Sequence, residues 1–260
     1  VIDEIGGETL QTPQGVAVAG DWLYVTDTNY RGSDPVFGPG ELTIIDRRTH
    51  EVGGTVPTRW KNPQFARTVP TPDGPRVAVT ASGVLDLATE PPRPTSQGGL
   101  ELWRPNGEAE TTQRETFSLD WTKGSRVGAP GRAIPTADGS HLYFTSGTDG
   151  VVFTFDLEAG MWSHDASNPI RLYETARPAL HHGAMGPNGL LYVTAFNRDA
   201  LYLFDTTCDR KLAGPLDLGT SDERIEGPHG IVPVAAEDGT SAWYIMSLSS
   251  ALGVARLRHR

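Results

Sequence analysis

The chain has 260 residues, 37% of them hydrophobic, with 30 glycines, 20 prolines and a formal charge of −10. That acidity, without any Lys/Arg cluster, argues against nucleic acid as a partner, and no apolar run reaches the roughly 18 residues of a membrane-spanning helix. Cys208 stands alone, so no intramolecular disulfide is possible, and the compartment stays open: cytoplasmic, or extracytoplasmic after removal of a signal.

In chain order, VIDEIGG reads as a single strand, and after it a unit of about fifty residues recurs five times. The first copy is TPQGVAVAGDWLYVTDTN followed by GELTIIDRRTHEVGGTVPT; the second is NPQFARTVPTPDGPRVAVTAS followed by GGLELWRPNGEAETT. The third, GAPGRAIPTADGSHLYFTSGTDGVVFTFDLEAG, is the most compact, and LHHGAMGPNGLLYVTAFNRDALYLFDTTCDRK and GPHGIVPVAAEDGTSAWYIMSLSSALGVARLRHR complete the series. Second-strand landmarks fall at Val25-Thr26, Val79-Thr80, Phe144-Thr145, Val193-Thr194 and Ile245-Met246. Apolar residues alternate or run in short blocks bounded by Gly, Pro, Asp or Asn, which predicts strands, and TPDG, TADG, GPNG and AEDG predict the hairpin turns between them.

These features predict one all-β domain over residues 1–260, a five-bladed β-propeller in which the N-terminal strand completes the last blade and removes an exposed sheet edge. Six blades is the alternative count, because Glu115 to Gly128 is long; ETFSLDW reads more simply as the outer strand of the second blade. The pattern of PxG, apolar strand, polar turn, YVT and a strand ending in Asp resembles the YVTN/NHL-type and lactonase-like propeller repeats over nearly the whole chain. The resemblance implies architecture; such folds host hydrolases, lyases, electron-transfer subunits and interaction scaffolds alike.

Two long insertions, Tyr30 to Pro39 and Gly83 to Gly98, fall between second and third strands, on the face where the innermost strands begin. Aligning the repeats puts Gln14, Arg67, Arg132, His182 and His229 at those beginnings, a donor-rich ring suited to a carboxylate, phosphate or enolate oxygen. Asp27, Asn29 and Arg198 fall on the same face as further candidate ligand contacts, although Asp and Asn there also serve as turn formers. His182 and His229, in the frames HHG and PHG, are the candidates for proton transfer, and some antibiotic-inactivating propeller lyases resemble this arrangement, with a histidine base and a nearby metal.

The same two histidines are candidate ligands for a divalent metal, with Asp27, Glu226 or Gln14 completing the shell. His181, next to His182, is expected to point the other way along a strand and to pack or face solvent. No GxSxG, CxxC, P-loop, HExxH or CxxCH sequence occurs, which sets aside serine hydrolases of the elbow type, NTPases and c-type cytochromes. Three readings stay open. One is a small-molecule lyase, isomerase or lactone-type hydrolase; another is a protein-binding scaffold gripping its partner through loops 30–39 and 83–98. The third is a channel lined by polar side chains that only satisfy backbone groups.

Overall fold

The alternating segments fold as the short strands expected of them. The computed structural model describes residues 10–32, 37–86, 88, 93–109, 113–119, 130–147, 150–173, 179–186, 189–218, 227–235, 241–247 and 254–258. Strands dominate it, and the 3-10 turn Phe196–Arg198 is the sole helical element among the described residues.

The first sheet runs β1 (Pro13–Ala19), β2 (Trp22–Asp27), β3 (Glu41–Asp46) and β4 (Val52–Pro57), each antiparallel to the next. In the second sheet, β5 (Pro63–Val69) and β6 (Arg76–Ala81) are followed by a small hairpin of β7 (Leu85–Asp86) and β8 (Arg93–Pro94), built from the second insertion. β9 (Gly98–Trp103) then pairs with β6, and β10 (Arg114–Leu119) pairs with β9 as the expected outer strand. The third sheet holds β11 (Ile134–Pro135), β12 (His141–Thr145), β13 (Val151–Asp156) and β14 (Met161–His164), with β15 (Ile170–Arg171) on β13. The fourth holds β16 (Leu180–Met185), β17 (Leu190–Ala195), β18 (Ala200–Asp205) and β19 (Arg210–Asp217). β20 (Pro228–Ala235), β21 (Ser241–Ser247) and β22 (Val254–Arg258) form the fifth.

Successive sheets pack face to face in chain order, because a strand sends alternate side chains to opposite faces and each face needs cover. Ala17, Tyr24 and Ile44 of the first sheet meet Ala66, Val77, Val79 and Trp103 of the second. The other face of the second, with Ala78, Leu100 and Leu102, meets Leu142, Phe144, Phe153 and Phe155 of the third, and Trp162 packs on this cluster. Ile134, Tyr143 and Val152 then meet Leu191, Val193 and Tyr202 of the fourth. Tyr192 and Leu201 meet Ile231 and Ile245 of the fifth. Each fully buried large side chain in these layers contributes about 1.5–3 kcal/mol.

Among the described residues, no hydrophobic cluster joins the fifth sheet to the first. Val16 and Val18 on β1 are 54% and 49% exposed, and Val232 and Val234 on β20 are 48% and 43% exposed. These valines occupy the faces turned away from the neighbouring sheet. The strand expected to close the ring, residues 1–7, lies outside the described residues.

Candidate functional site

Every innermost strand carries an irregularity at the same level, close to where it begins. In β1, Pro13 pairs with Asp27 and Gly15 with Thr26, so Gln14 is an extra residue. Gln64 is the extra residue of β5, between the pairs Pro63 with Ala81 and Phe65 with Thr80. His229 is that of β20, between Pro228 with Ser247 and Gly230 with Met246. Before β11, Gly131, Arg132 and Ala133 span the gap between the pairs Pro130 with Ser146 and Ile134 with Tyr143. In β16, His181 and His182 together oppose Thr194. A bulge of this kind bends its strand and re-aims the side chains on it.

In the first and fourth sheets the threonine of YVT holds the bulge of its own inner strand. Buried Thr26 accepts from Gly15 N at 2.9 Å, and Thr194 Oγ1 accepts from His182 N and donates to His182 O, both at 3.1 Å. Thr80 donates to Gly131 O at 2.9 Å and Thr145 to His181 O at 3.1 Å, each reaching the next sheet. These hydroxyls satisfy backbone groups that an irregular ladder leaves over. Three of the five inner strands begin at a proline (Pro13, Pro63, Pro228), and Pro130 makes the isolated bridge before β11; proline needs no ladder partner for its nitrogen.

The bulges gather three imidazoles. The rings of His181 and His229 lie 3.8 Å apart, those of His182 and His229 5.2 Å, and those of His181 and His182 5.8 Å. One nitrogen from each of the three falls within 4.8 Å of the others. His181 therefore joins the site, contrary to the strict alternation expected for adjacent strand residues, because two β16 residues share one partner at the bulge. Phe65, from the second sheet, sets its ring edge-on to His182 of the fourth at 6.0 Å, so side chains of non-adjacent sheets meet here. Phe196 of the 3-10 turn walls the other side, 5.7 Å from His181.

Burial disfavours the charged form of all three rings. His181 and His182 are lowered to about 4 by desolvation and then by positive neighbours, His229 for both and Arg132 for His182; His229 is lowered by desolvation. The lone pairs are thus free at neutral pH, which suits a Lewis acid better than a general base.

The arginines come together beside them. Arg67 donates from Nη1 to Ala133 O at 3.2 Å, and its guanidinium is pushed below its usual range by burial and then by the charge of Arg132. Among the described residues no carboxylate pairs with either guanidinium. The two are not register equivalents, although FARTVPTPDG and GRAIPTADG align without a gap. Arg67 pairs with Ala78, two residues deeper in its strand than Phe65, which occupies the level of Arg132. A first hairpin of different register in the second sheet causes the offset.

Other expected residues have structural work. Both Asp27 oxygens are taken, Oδ1 accepting from Thr12 N and Asn29 N at 2.9 Å and Oδ2 from Gln11 N at 2.5 Å. Asn29, at φ 49°, donates to Pro39 O at 2.6 Å and to Glu41 Oε2 at 3.2 Å, tying down the first insertion. Gln14 is exposed, and Arg198 is exposed at the end of the 3-10 turn. Glu226 lies outside the described residues. Gln64, which accepts from Ser82 Oγ at 2.9 Å, was missed by sequence reasoning; aligning repeats on the proline rather than on the following glycine would have found it.

No protein-family model matches the chain, and no curated protein does. Solved structures do. The extracellular domain of a one-component system, BT4673, from Bacteroides thetaiotaomicron matches with TM-score 0.62 at 13% identity, over 99% of this chain and 29% of that one. Kuenenia stuttgartiensis hydrazine synthase matches with TM-score 0.59 at 15% identity, over 93% of this chain and 66% of that one. The Pseudomonas aeruginosa periplasmic gluconolactonase PpgL matches with TM-score 0.55 at 15% identity, over 95% of this chain and 72% of that one. The fold is of the β-propeller type. At these identities the likeness concerns the propeller scaffold alone, and the chain spans less than a third of the length of the BT4673 domain. No helix of the described residues is long and apolar enough to cross a membrane.

Proposed function

We propose that this propeller binds an anionic small molecule at the mouth of its central channel, in the YVTN/NHL-like manner of five blades around one axis. The single observation that carries the reading is the half-buried Arg67, desolvated beside a second guanidinium, Arg132, with no carboxylate for either among the described residues. A partly desolvated guanidinium beside a like charge is unfavourable, and an arriving carboxylate or phosphate relieves both the repulsion and the lost solvation of Arg67. The three neutral histidines and the ring edges of Phe65 and Phe196 supply the remaining polar and apolar walls.

The reaction class best suited to this arrangement is lactone-type hydrolysis or elimination on a carboxylate-bearing substrate, with the arginines holding the anion and the imidazoles beside the reacting carbon. A gluconolactonase shares the scaffold at the level of fold, so the class is compatible with the architecture.

The test is calorimetric titration at low ionic strength with a series of sugar acids, other small hydroxycarboxylates and their phosphates. Saturable binding of at least one compound, weakened about tenfold or more in Arg67→Met and Arg132→Met, supports the reading. No saturable anion binding, or equal affinity in both variants, overturns it. Turnover of the corresponding lactones, followed by proton release, distinguishes an enzyme from a binding protein.

A further inference from the structure

We propose that His181, His182 and His229 form a three-nitrogen site for a first-row divalent transition metal, with an open fourth coordination position. The proposal deepens the anion-binding reading by adding an electrophile at the same mouth, but it rests on different residues.

The geometry is close to what such an ion requires. Three imidazole nitrogens around a tetrahedral ion at about 2.0–2.1 Å sit roughly 3.3 Å apart. Here they lie within 4.8 Å of one another, so modest side-chain rotation closes the set. The backbone that carries two of them is already fixed. Thr194 holds both the N–H and the carbonyl of His182, and Thr145 of the preceding sheet holds the carbonyl of His181. Ligands on a pinned bulge lose little freedom on binding a metal, which favours affinity.

A second observation points to a missing partner. Nδ1 of His181 is buried and makes no hydrogen bond. A buried polar nitrogen left unpaired costs about 1–3 kcal/mol, and packing alone gives no reason to hold three imidazoles together with one of them in that condition. The donor set selects the ion class. All-imidazole coordination without carboxylates suits zinc, copper, cobalt or nickel and is a poor cage for magnesium or calcium, which take oxygen ligands.

Charge then dictates the fourth ligand. A divalent ion beside Arg132, which already acts on His182, is stabilised when hydroxide or an anion completes the shell. Three protein ligands with one exchangeable position is the arrangement of catalytic rather than structural zinc, in which bound water becomes a nucleophile near neutral pH. Hydrolysis at this site would transfer that oxygen to the carbonyl carbon, break the acyl–oxygen bond and return the proton to the departing alkoxide.

The experiment uses the full chain without affinity tag, stripped by a chelator and titrated with Co(II), followed by Zn(II) in competition with a chromophoric chelator. Expected are one equivalent of metal, intense visible absorption of four-coordinate Co(II), and a spectral change on adding azide or acetate. His181→Ala, His182→Ala and His229→Ala should each weaken binding by at least about tenfold while circular dichroism stays that of the parent. Absence of one-to-one binding by the unmodified chain overturns the proposal without recourse to any variant, as does parental affinity in the folded single variants. Arg67→Met and Arg132→Met separate the two readings: they should weaken sugar-acid binding about tenfold or more but keep the Co(II) spectrum. Anion binding that survives in a chain unable to take metal removes the metal centre alone.

Discussion

His181 and His229 sit on the inner strands of neighbouring sheets, forty-eight positions apart in the chain, with their rings 3.8 Å apart. Neither ring would be there on a regular strand. Each lies on a bulge near the start of its strand, and the bulge under His181 is held by hydroxyls from its own sheet and from the sheet before it.

That dependence makes Thr194 a positioning residue. Thr194→Val removes its bonds to both His182 N and His182 O and leaves them buried, which should cost about 1–3 kcal/mol in denaturant unfolding. Co(II) affinity should fall with it, and Thr194→Ser should restore both. A valine variant of parental stability and affinity would mean that the bulge is held by packing alone.

Gly15 brings β1 close against the backbone of β5. A Cβ there would meet Ala66 N at 2.5 Å and Gln64 O and the Phe65 carbonyl carbon at 2.9 Å, all backbone of β5. At Gly183 the nearest atom is the tip of Ile134, at 2.6 Å, a side chain able to turn. Gly15→Ala should therefore lower stability by about 1–3 kcal/mol or more, and Gly183→Ala by less. Thermal unfolding of the pair checks the order.

Glu101 on β9 is fully buried, and its carboxyl accepts from Arg59 N at 2.8 Å and Arg114 Nη1 at 3.3 Å. Burial outweighs these bonds and raises it to about 7. Between its ordinary value of 4.5 and about 7 the folded chain keeps a proton that the unfolded chain releases, so this group's contribution declines as pH rises through that window, by up to about 3 kcal/mol. Glu101→Gln should flatten the decline and be more stable than the parent above pH 7, measured as unfolding midpoint against pH. An unchanged pH profile would mean that Glu101 is ionised throughout.

The exposed valines give a contrast within one strand. Val232 is 48% exposed whereas its neighbour Ile231 is 5% exposed against the fourth sheet. Val232→Thr should change stability by no more than about 0.5 kcal/mol, and Ile231→Ala should cost about 2–5 kcal/mol. A large loss at Val232 would show that the first and fifth sheets press together in solution.

The sequence by itself determined the strands, their hairpins and the succession of sheets, because alternation of apolar residues and the turn residues TPDG and TADG act between near neighbours. It also singled out His182 and His229, which lie near the starts of β16 and β20, and Arg132, which lies just before β11. Tertiary structure alone decided that His181 belongs with them, that Arg67 sits two residues deeper than the level of Arg132, and that Asp27 and Asn29 hold loops. A bulge is defined by the strand opposite, and the meeting of rings from separate sheets is set by how those sheets pack; neither is written in the local period of the chain.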